Sequence, residues 1–454
     1  MITAPEDARI KIINNCEVQK GEYVLYWMQS SVRTKYNFAL DYAKQKAKKL
    51  NIPLVVYFGI DTNYPESNQR HLFFMMQGLK ETITELNNEN IAVFLNLSSP
   101  EKGAADAGKK ASLIVTDMGY LKFHREWRNY VSSNVKCPLI QVESNIIVPV
   151  LETSDKEEWS AATIRKKINL KLPLYLREHH ADTSETKPYN KDIPEGFFSN
   201  PNIKAISDLP LINKDVKPSK YYQGGYSKAK SILLDFIRNK LDNYSKDRNF
   251  PEKNIQSDMS PYLHFGHISP LEIAVDIINS GFIDPDDYLE QLIIRRELAI
   301  NYVTYNSYYD TFTGLPKWCI DTLNMHRLDK REYIYSTDEL ESAGTHDDYW
   351  NAAQNEMKIT GKMHGYMRMY WGKKIIEWSE SPITAFNTAV YLNNKYSLDG
   401  RDPNSYAGIA WCFGKHDRAW GERPVFGKIR YMNDKGLKRK FDIEQYVNNI
   451  KNYQ

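Results

Sequence analysis

The chain has 454 residues, 42% of them hydrophobic, and a net charge of +3, enough to bury a large core in two or three domains. No run of about 18 uncharged apolar residues suits a membrane span, and the opening MITAPEDARIKIINN lacks the apolar core of a signal peptide, so an intracellular protein is expected, cytoplasmic or in the nucleoid. Four scattered cysteines, Cys16, Cys137, Cys319 and Cys412, fit neither a disulfide framework nor a zinc ribbon, and no metal is expected.

In chain order, YVLYW (23–27), PLVVYFGI (53–60), IAVFLNL (91–97), SLIVTDM (112–118) and PLIQVES (138–144) read as strands. Helical stretches lie between them, near 33–50, 69–89 and 101–110, with a last one before PLIQVES. Near-continuous apolar strands alternating with helices predict a doubly wound parallel sheet, buried on both faces. We assign this α/β, Rossmann-like domain to residues 1–180. It carries no GxGxxG, and the whole chain lacks a P-loop, so a ligand site at the carboxyl ends of the strands is expected only from the fold class.

Pro188, Pro194, Pro201, Pro210 and Pro218 fall in an aperiodic polar stretch, and 181–224 reads as a linker. Apolar spacings of three and four then recur over 227–241, 270–280, 286–306, 347–379 and 382–395, predicting an all-α domain over 225–454. Within it, 411–440 holds nine Lys or Arg against three acids, a local excess of six. That run includes PVFGKIRYM (424–432), which reads as a hairpin. Alone, such a run is a solvated face as readily as a phosphate-binding one. Likewise, 13% aromatic residues, with 31 Tyr and 9 Trp, suit an ordinary core as well as a cofactor pocket.

The segment GKMHGYMRMYWGKKIIEW (361–378) is a strong helix. Its spacing puts Arg368, Trp371, Ile375 and Trp378 on one stripe, with Met369 pointing away. A guanidinium on that stripe needs an acceptor, which argues against plain core filling. MHGYMRMYW (363–371), YLNNKYSLDGRDPNSYAGIAW (391–411) and HDRAWGERPVFGKIRYM (416–432) together resemble class II photolyases of the photolyase/cryptochrome family. The resemblance extends through YWNAAQNEM, DKREYIYS, YLEQLIIRREL and SPYLHFGHISP, and more weakly into YWMQSSVRTKYNFAL (26–40).

The resemblance implies a light-driven lyase that splits cyclobutane pyrimidine dimers in duplex DNA, with FAD bound in the helical domain. It places Tyr244, Ser257, Met259 and Ser260 on the ribityl and phosphates, and Asn393 with the Arg368–Asp399 pair at the redox-active ring. Read from its residues alone, NNKYSLDG is also a helix stop, with Asn393 as a cap. Trp371, Trp350 and Trp378 match the proximal, middle and distal members of an electron chain, with Asp417 beside Trp371. Met369 and Trp411 match residues that pack on the extruded lesion. Glu290 and Glu297 are two candidates for an acid facing it, and structural ion pairs to Arg295 or Arg296 remain open. Arg418, Arg423, Lys428 and Arg430 become backbone-gripping cations. The chain departs from the family at Ala419, where a proline is usual, and at SSVRTKYNF, which leaves an antenna chromophore of the 8-hydroxydeazaflavin kind without matched residues. A monomer is expected, with a cryptochrome-like signalling flavoprotein as the alternative.

Overall fold

The five apolar runs between residues 23 and 142 assemble into one sheet because each is buried along its length and can satisfy its backbone only beside another strand. The computed structural model describes residues 6–182, 185–210, 212–282 and 285–453. Its strands are β1 (Ile10–Ile12), β2 (Tyr23–Trp27), β3 (Leu54–Gly59), β4 (Ala92–Asn96), β5 (Ala111–Asp117) and β6 (Leu139–Val142), in the order β1-β6-β5-β2-β3-β4. All neighbours run parallel except β1, an antiparallel edge on β6. The strand order therefore reverses between β2 and β5.

Helices α1 (Phe38–Leu50) and α2 (Gln69–Asn88) join the core on one face, with Tyr26, Val56 and Leu95. Helices α3 (Pro100–Gly108) and α4 (Lys122–Asn134) cover the other, with Leu25, Tyr57 and Phe94. The first of these cores continues into Tyr244, Met259, Leu271 and Leu292, so the sheet and the start of the helical part share apolar packing. A third core, holding Trp350, Trp371 and Trp378, belongs mainly to the later helices.

Two expectations need correction. The proline-rich 181–224 stretch is not a free tether: it bridges Pro53 through Lys187 and Leu95 through Phe198, and Tyr189 and Phe197 pack on Phe94. Its aperiodic sequence hides this, because single bridges and isolated aromatics leave no period. The expected hairpin at 424–432 is a tight turn with one bridge, Arg423 to Gly427, in which Val425 adopts φ 68°. Beyond it lie two more helices, Asp434–Lys440 and Ile443–Lys451, N-capped by Asn433 and Asp442.

Candidate active site

The helix Gly365–Trp378 organises the site. Trp371 and Trp378 lie on its buried side, and Trp350 enters between them from the neighbouring helix Asp348–Thr360. The Trp350 and Trp371 rings lie parallel within 6° at 6.4 Å, and Trp350 meets Trp378 at 5.8 Å. Trp350 Nε1 donates to the Trp371 carbonyl and Trp371 Nε1 to Gln354 Oε1, at 3.0 and 2.9 Å. These bonds fix the Trp350 and Trp371 indoles parallel, while Trp378 meets Trp350 at 67°. Sequence reasoning expected Asp417 beside Trp371; Gln354 occupies that role, while Asp417 accepts from Arg430 Nε at 2.9 Å and from the Arg418 amide. An acid at the start of a basic segment finds a nearer cation there.

One turn earlier, Arg368 reaches Asp399 Oδ1 at 3.4 Å and Ser397 Oγ at 3.5 Å, in the turn after the helix Pro382–Tyr396. Burial pushes the Asp399 carboxyl up, but Arg368, the Ser260 hydroxyl and Lys362 outweigh it and hold it at about 2. Asn393, on the last turns of that helix, is 1% exposed, and its Nδ2 has no hydrogen-bond partner. A buried amide donor without an acceptor fits a ligand acceptor at that place. The residue ending the helix is Ser397, whose amide donates to the Asn393 carbonyl, so the Asn393 side chain is not the cap that NNKYSLDG suggested. Tyr244 and Met259 are buried, Ser257 Oγ accepts from the Met259 amide, and Ser260 opens a short helix. These residues present hydroxyls together with a buried aromatic and a buried thioether side chain.

On the other side of the Gly365–Trp378 helix, Met369 is half buried, and Trp411, near the end of Pro403–Cys412, is half buried too. Two cations bracket its ring, Lys373 Nζ at 5.3 Å and the Arg430 guanidinium at 5.4 Å. Arg430 also lies 4.3 Å from the Trp420 ring, and Arg418 lies 5.0 Å from it. Arg418, Arg423 and Lys428 are exposed. Of the two candidate acids, Glu297 is corrected: it is buried, and it accepts from the Ile147 and Val148 amides. Glu290 forms a two-point pair with Arg165 at 3.0 and 2.6 Å, at the head of a π-helical segment, Glu290–Arg295, that no periodicity announced.

A cavity partly open to solvent lies at the carboxyl ends of β2, β3 and β5. This is where the strand order reverses, the place such sheets bind ligands. Met28, Phe58, Tyr64 and Trp127 line it from the sheet domain and Phe265 and Asp402 from the helical part. Its first wall is the segment that sequence reasoning left unmatched. Asp117 accepts from the Gln29 and Ser30 amides at 2.7 and 2.6 Å, and Arg33 donates to Asn145 and to the Gly266 carbonyl.

Comparison with known proteins identifies the family. The DNA photolyase family profile matches residues 24–185. The chain is 48% identical over 449 residues to the deoxyribodipyrimidine photo-lyase of Methanothermobacter thermautotrophicus, covering 98% of each. It is 36% identical over 452 residues to that of Potorous tridactylus, covering 97% of this chain and 84% of the relative. Cryptochrome-1 of Sinapis alba matches over 70 residues, 14% of each chain. In fold it is similar to the Sulfolobus tokodaii photolyase described with two FAD molecules, at TM-score 0.69, 16% identity and 94% and 89% coverage. A Synechocystis cryptochrome gives TM-score 0.72 at 13% identity, covering 95% of this chain and 89% of its own. Near-complete alignment at 48% identity leaves no room for a different fold or lineage: the chain belongs to the DNA photolyase family.

Proposed function

We propose that this protein is a class II photolyase that repairs cyclobutane pyrimidine dimers in duplex DNA, using light and bound FAD. The observation that carries the reading is the orphaned Nδ2 of buried Asn393, at the end of a helix whose following turn holds the Arg368–Asp399 pair. Bound there, FAD would supply a photoexcited one-electron donor. The Arg368 guanidinium offsets negative charge on the ring, and the Asn393 amide meets a ring nitrogen in either protonation state. The Trp371, Trp350 and Trp378 indoles bring electrons inward to prime the site. Trp411 and Met369 offer a stacking and a soft thioether surface to the extruded dimer. Exposed Arg418, Arg423 and Lys428 take the phosphates, with Arg430 between them and the Trp411 ring.

The cavity at the strand ends is our site for an antenna chromophore. Phe58, Tyr64, Trp127 and Phe265 suit a planar conjugated molecule, of which a deazaflavin is one, and the Sulfolobus neighbour is described with a light-harvesting second FAD. The deciding experiment follows dimers in an irradiated oligonucleotide after incubation with protein under blue light and in the dark. Light-dependent loss of dimers is expected; flavin-containing protein that binds but never repairs them would return the assignment to a signalling flavoprotein.

A further inference from the structure

The turn that carries Arg423 and Lys428 is tied to the end of the helix Lys317–Met325. The Lys428 amide donates to Thr322 Oγ1 at 3.0 Å, and the Val425 amide to Asp329 Oδ2 at 2.8 Å. Gly427, at φ 52°, lies so near that a Cβ there would meet His326 Cδ2 at 2.8 Å. His326, the first residue after the helix, has Nδ1 2.6 Å from the same Asp329 Oδ2 and Nε2 3.0 Å from Glu422 Oε1. A carboxylate oxygen only accepts, so the ring meets both acids only with a proton on each nitrogen, as the imidazolium. The bonds to Asp329 and Glu422 raise His326 above its ordinary 6.5, and the Val425 amide and His326 hold Asp329 below its own range. From its own turn the ring thus faces Asp329, backed by Arg331, and from the basic segment Glu422. The helix presents the uncharged Thr322, while its Asp321 is paired with Lys317.

We propose that His326, as the imidazolium, is the positioning residue of the phosphate-gripping turn, presenting Arg423 and Lys428 to DNA and masking the two carboxylates beside them. The proposal rests on the DNA-repair reading of the preceding section. A neutral ring keeps only one N–H, so deprotonation releases either Asp329 or Glu422. Glu422 adjoins Arg423 in the chain. A released carboxylate at that place competes with phosphate for the guanidinium and repels the DNA backbone. The turn also loses one of its attachments to the helix. DNA affinity therefore falls as the pH rises through the titration of His326. By reciprocity, a phosphate laid along the turn favours the proton. A histidine kept only to fill the space beside Gly427 would not need an acid on each nitrogen.

The test uses the flavin-loaded protein in the dark, with dimer-containing and intact duplexes of one sequence, and reads dissociation constants from about pH 6 to about pH 9 at fixed ionic strength. Wild type is expected to weaken about fivefold on both duplexes as the pH rises, the upper worth of an exposed ion pair, since phosphate contacts carry no lesion information. His326→Gln should bind at the weakened level throughout. Glu422→Gln should bind at the tight level throughout, because a neutral ring can then donate to Asp329 from Nδ1 and accept from the new amide at Nε2. The two variants thus flatten the pH profile at opposite ends, which a packing role would not produce. A wild type with a flat profile, or either variant keeping the wild-type slope, overturns the clamp and leaves the preference for dimer-containing DNA standing. A wild type without that preference at any pH overturns the repair reading on which the clamp rests.

Discussion

Asp399 sits where burial alone would neutralise a carboxyl, yet Arg368 and the Ser260 hydroxyl hold it charged at about 2. Its contribution to stability is therefore present above the ordinary carboxylate range and is lost only as the pH falls through about 2, so the ring-flanking pair is constant across neutral pH. The indoles divide the labour differently. On the proposed reading Trp371 serves only the electron path, so Trp371→Phe should abolish photoreduction of the oxidised cofactor while chemically reduced protein still repairs. Bleaching of the flavin band under light checks the first half and the dimer assay the second; unchanged bleaching would mean another route. Trp411 lies on the opposite side of the helix, bracketed by Lys373 and Arg430. Trp411→Ala should cost about 1–3 kcal/mol of affinity for dimer-containing DNA and far less for intact duplex, by the worth of base–aromatic stacking. Paired binding isotherms in the dark decide it.

At the scale of the element, the proposed function gives Gly365–Trp378 two chemistries on two unequally packed sides. The side with Trp371 and Trp378 is buried. The other approaches Pro403–Cys412 so closely that a Cβ on Gly372 would meet Cys412 Sγ at 2.6 Å. That approach brings Lys373, buried and bonded to the Cys412 carbonyl, under the Trp411 ring. Burial is the largest influence on Lys373 and pulls it from 10.5 down to about 8. Between these values the unfolded chain binds a proton that the folded chain does not, so stability rises with pH in that window, by roughly 3 kcal/mol in all. Lys373→Met should flatten the rise. Urea denaturation of both proteins from pH 8 to 10 measures it, and parallel curves would show that the ammonium is hydrated in the fold.

Across the whole molecule, buried arginines tie the sheet to the helices. Arg70, on α2, donates to the carbonyls of Met357 and Lys358 at the end of one helix, of Tyr396 at the end of another, and of Lys217. It thereby satisfies helix termini that would otherwise be orphaned. Within the sheet domain Arg9 satisfies the carbonyls of Glu143, Ile146 and Ile147 in the loop after β6, and Arg33 reaches Gly266 of the helical part. With one core running between the parts, they should unfold together. Arg70→Met is expected to cost about 3 kcal/mol, the order of stranding several buried acceptors, and to split the single transition. Fluorescence and circular dichroism followed through the same denaturant series would report the split as non-coincident curves.

The alternation of apolar strand and helix, and the shift to periods of three and four after residue 225, were legible because each follows from which faces a repeating element must bury. So were Trp371 and Trp378 as one stripe, and Arg368 as a cation in want of a partner. Residue spacing could not say that Trp350 slots between two indoles of another helix, nor that His326 meets Glu422, because those contacts join segments whose separation no period encodes. The same holds for Asp417, which the resemblance placed beside Trp371 and which the fold pairs with Arg430. Glu290 and Glu297 were indistinguishable as letters on one helix. Tertiary burial separated them, tying one to Arg165 and the other to two backbone amides of the sheet domain. Local pattern determines what each segment must hide; only the closed chain decides which partners it hides them against.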